Sequence, residues 1–517
     1  MNVFKFGGTS VGNAECFANV ADIVVQQQRK DSTTAEVVVV LSAMSGVTSA
    51  LIAGARAAAE GKDSVYRQIK AELLTRHLDV VESLLSHSPE RLEVGGLIED
   101  RLHNLERLYR SIAVLGELTV RGCDAVASLG EQLSTSILAA VLRDRGARAQ
   151  ALSGTDMIVT DDHFGAATPL MAQTRQRLQQ RVKPLVERGI VPVITGYVGA
   201  TEQGVTTTLG RGGSDYTAAI VGAGLDADEV WIWSDVNGIL TADPNIVPQA
   251  RTLSELSYVE AAELAYYGAD VLHPKTIRPV TEHGIPLRIV NSFQPTHPGT
   301  LIVRDPNPER QPLPAIISTT GLSLIAVGTR DDSWTLQMSA RALQRLSEAG
   351  LEVLLFSQSF SEHSLNLVVR EQDQTHCLNV LCREFGGSTP QEWAALLANS
   401  AGVTLDEARE HAEQRRAPGA ILRRLSDVCS LGIKEKVATI SVVGMPNAPH
   451  TTAGQEISIV SQAFAALGKH GIRVIAVAQT AAEYSVSFCI PEDRMDDTVR
   501  FLHRELGLEE NRWTRSP

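Results

Sequence analysis

The sequence is poor in cysteine, in basic runs and in long apolar runs, and each shortage argues against a class of function. Its six cysteines, Cys16, Cys123, Cys377, Cys382, Cys429 and Cys489, form no C-x-x-C pair, which speaks against a zinc site or a disulfide framework. Lys and Arg number 47 against 60 Asp and Glu, for a net charge of −13. No stretch is positive enough to neutralise a row of phosphates, so no nucleic-acid partner is expected. No apolar run reaches the ~20 residues of a membrane span, and Lys5 with Gly7-Gly8 interrupts the apolar start where a signal peptide would need continuity. A cytoplasmic location, away from membranes, is the expectation. Low-complexity tracts are missing too. What remains is a globular composition, 44% hydrophobic and 21% charged, on 517 residues, too long for one core and expected to form two or three domains.

The informative glycines lie in Thr206-Thr-Thr-Leu-Gly-Arg-Gly-Gly-Ser-Asp-Tyr-Thr217, where Gly210, Gly212 and Gly213 surround Arg211. Ser214 and Asp215 then precede an Ala-rich run and read as a helix start. Glycines allow close backbone approach to a ligand, and the free N–H groups of a helix start favour an anion. Arg211 adds a planar fork able to take a carboxylate by two parallel hydrogen bonds. Alone, the stretch reads equally well as a strand–turn–helix connection with its arginine in water.

Other predicted strands end in the same way. Val3-Phe-Lys-Phe6 runs into Gly7-Gly8-Thr9-Ser10 and then a helix from near Asn13. Lys5 is either an exposed strand lysine or a buried charge, and a buried charge needs a partner such as phosphate. Its place before the glycines is not the Walker order. Residues 36–41 form a near-continuous apolar strand, as in a parallel sheet buried on both faces, and end in Ser42-Ala-Met-Ser-Gly-Val-Thr48. A helical pattern from about Ser49 to Val120 returns through Asp124 to a helix start at Glu131. That carboxylate either complements the helix dipole or holds an amino group. Residues 191–197 end in Thr-Gly-Tyr, and residues 229–235 end in Ser234-Asp235. Asn237-Gly238 reads as a tight turn joining hairpin strands, and a last strand covers residues 286–290. Ligands of open α/β sheets bind beyond the carboxyl ends of the strands, so these polar tips are expected to form one site.

The motifs resemble those of aspartate kinases in the amino-acid kinase superfamily. Lys5-Phe-Gly-Gly-Thr-Ser10 is similar to the family's N-terminal phosphate motif, Thr207-Thr-Leu-Gly-Arg-Gly-Gly-Ser-Asp215 to its second signature, and Tyr267-Gly-Ala-Asp-Val-Leu-His-Pro274 to a third. The resemblance implies an α/β domain over residues 1–303, a mostly parallel sheet sandwiched by helices. It also implies roles. Lys5, Gly7, Gly8 and Thr9 would hold the transferring phosphoryl group of ATP, with Ser234, Asp235 and Leu240 at the nucleotide. Glu131 would take the α-amino group of aspartate and Arg211 its α-carboxylate, with Ser42, Thr48 and Ser214 lining the pocket and Asp215 orienting Lys5. Mg2+ would be held mainly by the nucleotide phosphates, with no dedicated protein metal site. The acceptor is a carboxylate already ionised at neutral pH, so no general base is needed. The chain departs from the family pattern at Leu240 and Asn245, where many members have tyrosine and arginine, and at Asp270, where many have a lysine; Lys275 is nearby but offset.

Residues 304–314 carry Pro306, Pro308, Pro312 and Pro314, a stiff linker. Beyond it, residues 342–365 are echoed by residues 463–486, each copy preceded by a strand and loop. The repeat predicts two ferredoxin-like modules, at residues 315–385 and 435–517, and resembles the tandem ACT domains of aspartate kinases. In that family one module interrupts the other, so residues 315–318 are expected to pair with the later copy. The repeat would bind an amino-acid effector, lysine or threonine by resemblance, with Gln358 and Gln479 as contacts, and would join subunits into a homodimer or higher homo-oligomer. Residues 386–434 hold two capping boxes and are expected to form short helices. The reading is therefore an ATP-dependent aspartate kinase making 4-phospho-L-aspartate. Its alternatives are a kinase for another acceptor such as glutamate, and a catalytically silent amino-acid sensor.

Overall fold

The computed structural model describes residues 1–29, 36–266, 272, 274–307, 314–328, 335–359, 364–385, 430–444, 451–452, 455–456, 459–479 and 485–509. They divide into two units, Met1–Leu240 with Thr252–Arg310, and Thr241–Arg251 with Gln311–Pro517. The short excursion Thr241–Arg251, placed by its sequence position in the first domain, thus belongs with the second.

In the first unit the apolar runs become strands β1 (Asn2–Phe6), β2 (Val37–Leu41), β3 (Ala149–Leu152), β4 (Val159–Thr160), β5 (Val191–Thr195), β6 (Val198–Thr201), β7 (Thr206–Thr208), β8 (Glu229–Ser234), β9 (Glu255–Ser257), β10 (Leu287–Asn291) and β11 (Thr300–Val303). Eight of them form one sheet in the order β3-β5-β2-β1-β8-β10-β11-β9, and every neighbouring pair is parallel except β10 with β11. β4, β6 and β7 form a small second sheet. β2 is buried along its whole length, as its unbroken valines require.

Helices α1 (Ala14–Arg29), α2 (Val47–Ala59), α3 (Asp63–Leu85), α4 (Glu90–Leu115), α5 (Val120–Ala127) and α6 (Leu129–Asp144) supply much of the core. Leu73, Leu102, Leu105 and Tyr109 pack with Phe4, Phe6 and Trp233 in one cluster. The helical stretch Val120–Asp144 is long and apolar enough to cross a membrane by length and composition, but 89% of its most apolar window is buried inside the protein. It is a core element here. α7 (Gly154–Met157), α8 (Met171–Arg181), α9 (Lys183–Glu187), α10 (Gly213–Leu225), α11 (Tyr258–Tyr266) and α12 (Pro274–His283) complete the unit. Asn237-Gly238 does not join paired strands. The chain runs on to an antiparallel bridge between Leu240 and Thr252, at the foot of the excursion.

In the second unit two long strands, β12 (Ala315–Gly328) and β15 (Ser430–Val443), run antiparallel through the sheet centre, flanked by β13 (Leu355–Ser359) and β14 (Ser364–Arg370) on one side and β18 (Ala476–Gln479) and β19 (Ser485–Pro491) on the other. β16 (Thr451–Thr452) and β17 (Gln455–Glu456) form a separate ribbon. α13 (Leu336–Glu348) and α14 (Gln374–Phe385) cover one module, α15 (Ile459–Lys469) and α16 (Met495–Glu505) the other. Each long strand serves both cores. Ile316 packs with Ile440 and Phe488, whereas Ile325 and Val327 pack with Leu367 and Ala342. The expected pairing of residues 315–318 with the later copy is present, as Ala315↔Val443 through Ser318↔Ile440. Residues 430–434, expected to end a helical insertion, instead open β15; the rest of the predicted helices lie outside the described residues. Ala242 and Val247 of the excursion join the same core as Phe488, and Thr241 Oγ1 lies 3.0 Å from His503 Nε2.

Candidate active site

The parallel register aligns the strand tips. Lys5 lies between Val40 and Ile232, so β1, β2 and β8 end side by side in Gly7-Gly8, Ser42 and Ser234-Asp235. Lys5 is 8% exposed and its Nζ lies 2.5 Å from Asp215 Oδ1, in the first turn of α10. Distance makes this an ion pair. The buried lysine therefore has a counter-charge, and an ammonium group with one donor facing a carboxylate keeps two others.

The Arg211 loop depends on backbone that only glycine adopts readily. Gly210 and Gly212 have φ of 77° and 68°, and Gly212 is the N-cap of α10. They leave Arg211 exposed, with no hydrogen bond or ion pair to any described residue. Beside it, Ser214 packs so closely on Gly196 that a Cβ there would lie 2.8 Å from the serine Cβ. The tip of β5 is thus brought to the start of α10.

Glu131 approaches from α6. Ser134 Oγ donates to the Ser42 carbonyl at 2.7 Å, and a Cβ on Gly130 would meet Ala43 Cβ at 2.8 Å. This sets the first turn of α6 against the tip of β2. Glu131 is 3% exposed, and its Oε2 has no hydrogen-bond partner among the described residues. Burial pushes its carboxyl up to about 8, while backbone N–H groups of Glu131 and Ala43 pull the other way. A buried carboxyl with an unfilled oxygen can accept a donor such as an ammonium group. Thr48 is half-buried in the first turn of α2, and Ser42 is half-buried at the β2 tip.

On the far side of β1, Ser234 Oγ donates to Asp235 Oδ1 at 3.1 Å, and Asp235 is exposed. Leu240 stands further along, in the bridge to Thr252, and nothing in that geometry distinguishes a nucleotide role from a structural one. Asn245 Nδ2 donates to Asp243 Oδ1; Asp270 lies outside the described residues.

Sequence reasoning missed the residues that hold these tips in place. Ser292 donates to the Ser234 carbonyl through both N–H and Oγ, and its Oγ lies 2.9 Å from Ser10 Oγ. Asn291 Nδ2 reaches Asn237 Oδ1 at 2.8 Å. Tyr197 has a left-handed φ of 69°, uncommon for a residue with a bulky side chain. Burial chiefly raises its phenol pKa, with Glu131 and Asp124 adding to the rise and a hydrogen bond to Thr208 opposing it. Such positions carry no local signature, because their partners are distant in sequence.

With this geometry in view, the comparisons with known proteins are direct. The profile of the Amino acid kinase family matches residues 1–291, and an ACT domain profile matches residues 440–506. Lysine-sensitive aspartokinase 3 of Escherichia coli is 30% identical over 509 residues, covering 98% of each chain. The chain belongs to the aspartokinases. Aspartokinase 1 of Arabidopsis thaliana, a chloroplastic protein, is 29% identical over 97% of this chain and 79% of its own length. Among solved structures, E. coli aspartokinase III in complex with aspartate and ADP covers 98% of this aspartokinase at 27% identity and a TM-score of 0.72. The same enzyme in complex with lysine and aspartate matches at 26% identity and a TM-score of 0.72. The aspartokinase fold, a mostly parallel kinase sheet followed by ACT modules, is thus common to this chain and its relatives.

Proposed function

We propose that this aspartokinase transfers the γ-phosphoryl group of ATP to the side-chain carboxylate of L-aspartate, giving 4-phospho-L-aspartate and ADP. The observation that carries the assignment of the acceptor is Glu131, buried and with an oxygen left unfilled, at the same strand tips as Lys5. Such a carboxyl calls for the α-ammonium group of an amino acid, and Arg211 offers the matching fork for its α-carboxylate. Ser42, Thr48 and Ser214 line the space between them. The substrate's side-chain carboxylate then attacks phosphorus in line while the bond to the ADP oxygen breaks. Lys5 neutralises charge on the equatorial phosphoryl oxygens and Asp215 holds Lys5 in place. Gly7, Gly8 and Thr9 offer backbone to the phosphates; Ser234, Asp235 and Leu240 stand on the nucleotide side. Mg2+ would enter on the phosphate oxygens and supply further charge neutralisation there. Glutamate, one methylene longer, would place its reacting carboxylate out of line.

The second unit serves as the regulatory half in this reading. Gln358 and Gln479 occupy matching places in edge strands β13 and β18, opposite Leu365 and Val486. Both would contact an amino-acid effector, with lysine first because the E. coli relative is lysine-sensitive. Assembly through the ACT modules into a homodimer or higher homo-oligomer, and a cytoplasmic location, complete the proposal. A coupled assay of ADP release with aspartate, with glutamate and with no acceptor tests it. Turnover with aspartate alone is expected. Equal release in all three arms would overturn the acceptor assignment, and no release in any arm would favour a silent sensor.

A further inference from the structure

Asp124 is a buried carboxylate for which neither sequence nor comparison assigns a role. It lies on α5 and is 2% exposed. Its Oδ2 accepts the N–H of Gly165 at 2.9 Å and that of Thr208 at 3.1 Å, and its Oδ1 accepts the Thr208 hydroxyl at 2.7 Å. A carboxylate that accepts three hydrogen bonds is well suited to burial, since it is acceptor-only and its lone pairs are used. One side chain therefore ties together α5, the loop at Gly165 and the end of β7.

These attachment points lead to Arg211. Thr208 is the last residue of β7, two positions before Gly210. The Gly165 backbone is the wall against which Gly210 turns: a Cβ there would lie 3.2 Å from the Gly165 carbonyl oxygen. Ala167 N–H donates to the Thr208 carbonyl, and Leu209 N–H to the Tyr197 carbonyl, both at 2.9 Å. Beyond Leu209 the chain has only left-handed glycines and Arg211 before α10 begins. The second branch leads to Tyr197, whose carbonyl accepts the Leu209 N–H next to Thr208. Its ring lies where a Cβ on Gly213 would approach within 2.6 Å, and its N–H donates to Thr217 Oγ1 at 3.0 Å.

We propose that Asp124 is a positioning residue for the carboxylate-binding arm of the site, fixing the loop that aims Arg211 at the substrate's α-carboxylate through Gly165 and Thr208. It touches no reacting atom. It acts on aspartate binding through Arg211 and leaves the nucleotide side, built on β1 and β8, unaffected. The inference rests on the assignment of Arg211 made above.

The test is steady-state kinetics on the full chain with Asp124→Ala, Asp124→Asn, Arg211→Ala and the double variant Asp124→Ala/Arg211→Ala. Asp124→Ala leaves three donors, two of them buried, without an acceptor and should raise KM for aspartate at least about tenfold, with KM for ATP within about twofold. Asparagine keeps an oxygen for the two N–H groups and should recover most of the loss. In the Arg211→Ala background the Asp124→Ala penalty should shrink to less than about twofold, because residues acting as one unit are not additive. A role in folding alone would lower the melting temperature and leave this split and this non-additivity absent, which overturns the proposal. If Asp124→Ala does not fold, Thr208→Val decides the matter, with Thr208→Ser as its conservative control. The valine variant should raise the aspartate KM selectively, and an unchanged value overturns the proposal. An unchanged aspartate KM in Arg211→Ala alone is a different failure. It would remove the assignment of Arg211, and the role of Asp124 with it.

Discussion

Lys5 Nζ lies 2.5 Å from Asp215 Oδ1, joining the middle of a parallel sheet to the first turn of a helix more than two hundred residues later. Both side chains are largely buried, at 10% and 17% exposure, so each charge lowers the cost of burying the other. An ammonium group has three donors. One of them meets Asp215 at 2.5 Å, which leaves two for a further anionic partner. A lysine held in this way before substrate arrives would avoid reorganisation during the chemical step.

Replacing Lys5 with alanine should lower kcat at least ~100-fold, the scale of losing one preorganised donor at a charged transition state. Far-ultraviolet circular dichroism should remain that of the parent. Turnover within a few-fold of the parent in the purified variant would show that Lys5 does not meet the phosphoryl group.

Arg211 is exposed on a glycine-flanked loop and has no described partner, so its removal leaves no orphaned charge behind. Arg211→Ala should raise KM for aspartate by roughly 10- to 100-fold, the worth of a charge-assisted bidentate contact, and change KM for ATP little. Arg211→Lys should rescue poorly for want of the planar fork. The reverse pattern in steady-state kinetics would move Arg211 to the nucleotide.

With Glu131 as the seat proposed for the α-ammonium group, aspartate binding should depend on pH. The Glu131 carboxyl is pushed up to about 8 by burial, so near neutrality the empty site holds a protonated acid. An ammonium ligand needs the carboxylate, so binding releases a proton. The apparent affinity for aspartate should fall at least about tenfold from pH 8.5 to 6.5. The sign for stability is the opposite. The folded state keeps a proton that the unfolded chain, at an ordinary 4.5, has lost. The contribution of Glu131 to stability is thus present below about 4.5 and is lost as pH rises through about 8. Glu131→Gln should flatten this part of the ligand-free stability profile. Calorimetric titration in two buffers of different ionisation enthalpy measures the proton directly, and zero release at pH 7 would refute the linkage.

Much of this site is legible in the sequence because its makers act locally. Gly210 and Gly212 declare themselves through the backbone they must adopt, and β2 through its unbroken valines. The order of motifs on strand tips then predicts convergence. Asp124 is not legible in the same way, since its partner Thr208 is 84 positions away and a lone aspartate on a helix has no pattern. Tyr197 is half hidden: its positive φ closes a tight turn in which Val198 N–H donates to the Gly196 carbonyl, but its contacts with Leu209, Gly213 and Thr217 are distant in sequence. The excursion Thr241–Arg251 reads as a loop because Ala242 and Val247 are too few to show periodicity, and only the fold reveals that they enter the second unit's core. The strand exchange of β12 with β15 was accessible through the resemblance, although the early start of β15 at Ser430 was not.

The regulatory half makes the last prediction. Two modules share strands β12 and β15, so a change in one core is felt along a strand that also builds the other. An amino acid bound at the edge strands is then expected to alter substrate affinity. Coupling of this kind is worth ~1–3 kcal/mol and must be reciprocal. Lysine should therefore weaken aspartate or ATP binding by roughly 5- to 150-fold, and each substrate should weaken lysine by the same factor. Truncation after residue 303 is a poor test, because Ala242 and Val247 would lose the core they belong to. Point variants are cleaner. Gln358→Ala and Gln479→Ala, each replacing a side chain that is at least partly exposed, should reduce lysine inhibition and leave kcat without effector within about twofold of the parent. Isothermal titration of lysine and threonine, each with and without substrates, separates the possibilities. Threonine binding in place of lysine would change the effector and keep the mechanism. If neither amino acid binds, the tandem repeat is structural in this enzyme, and the proposal that its second unit senses an amino acid is wrong.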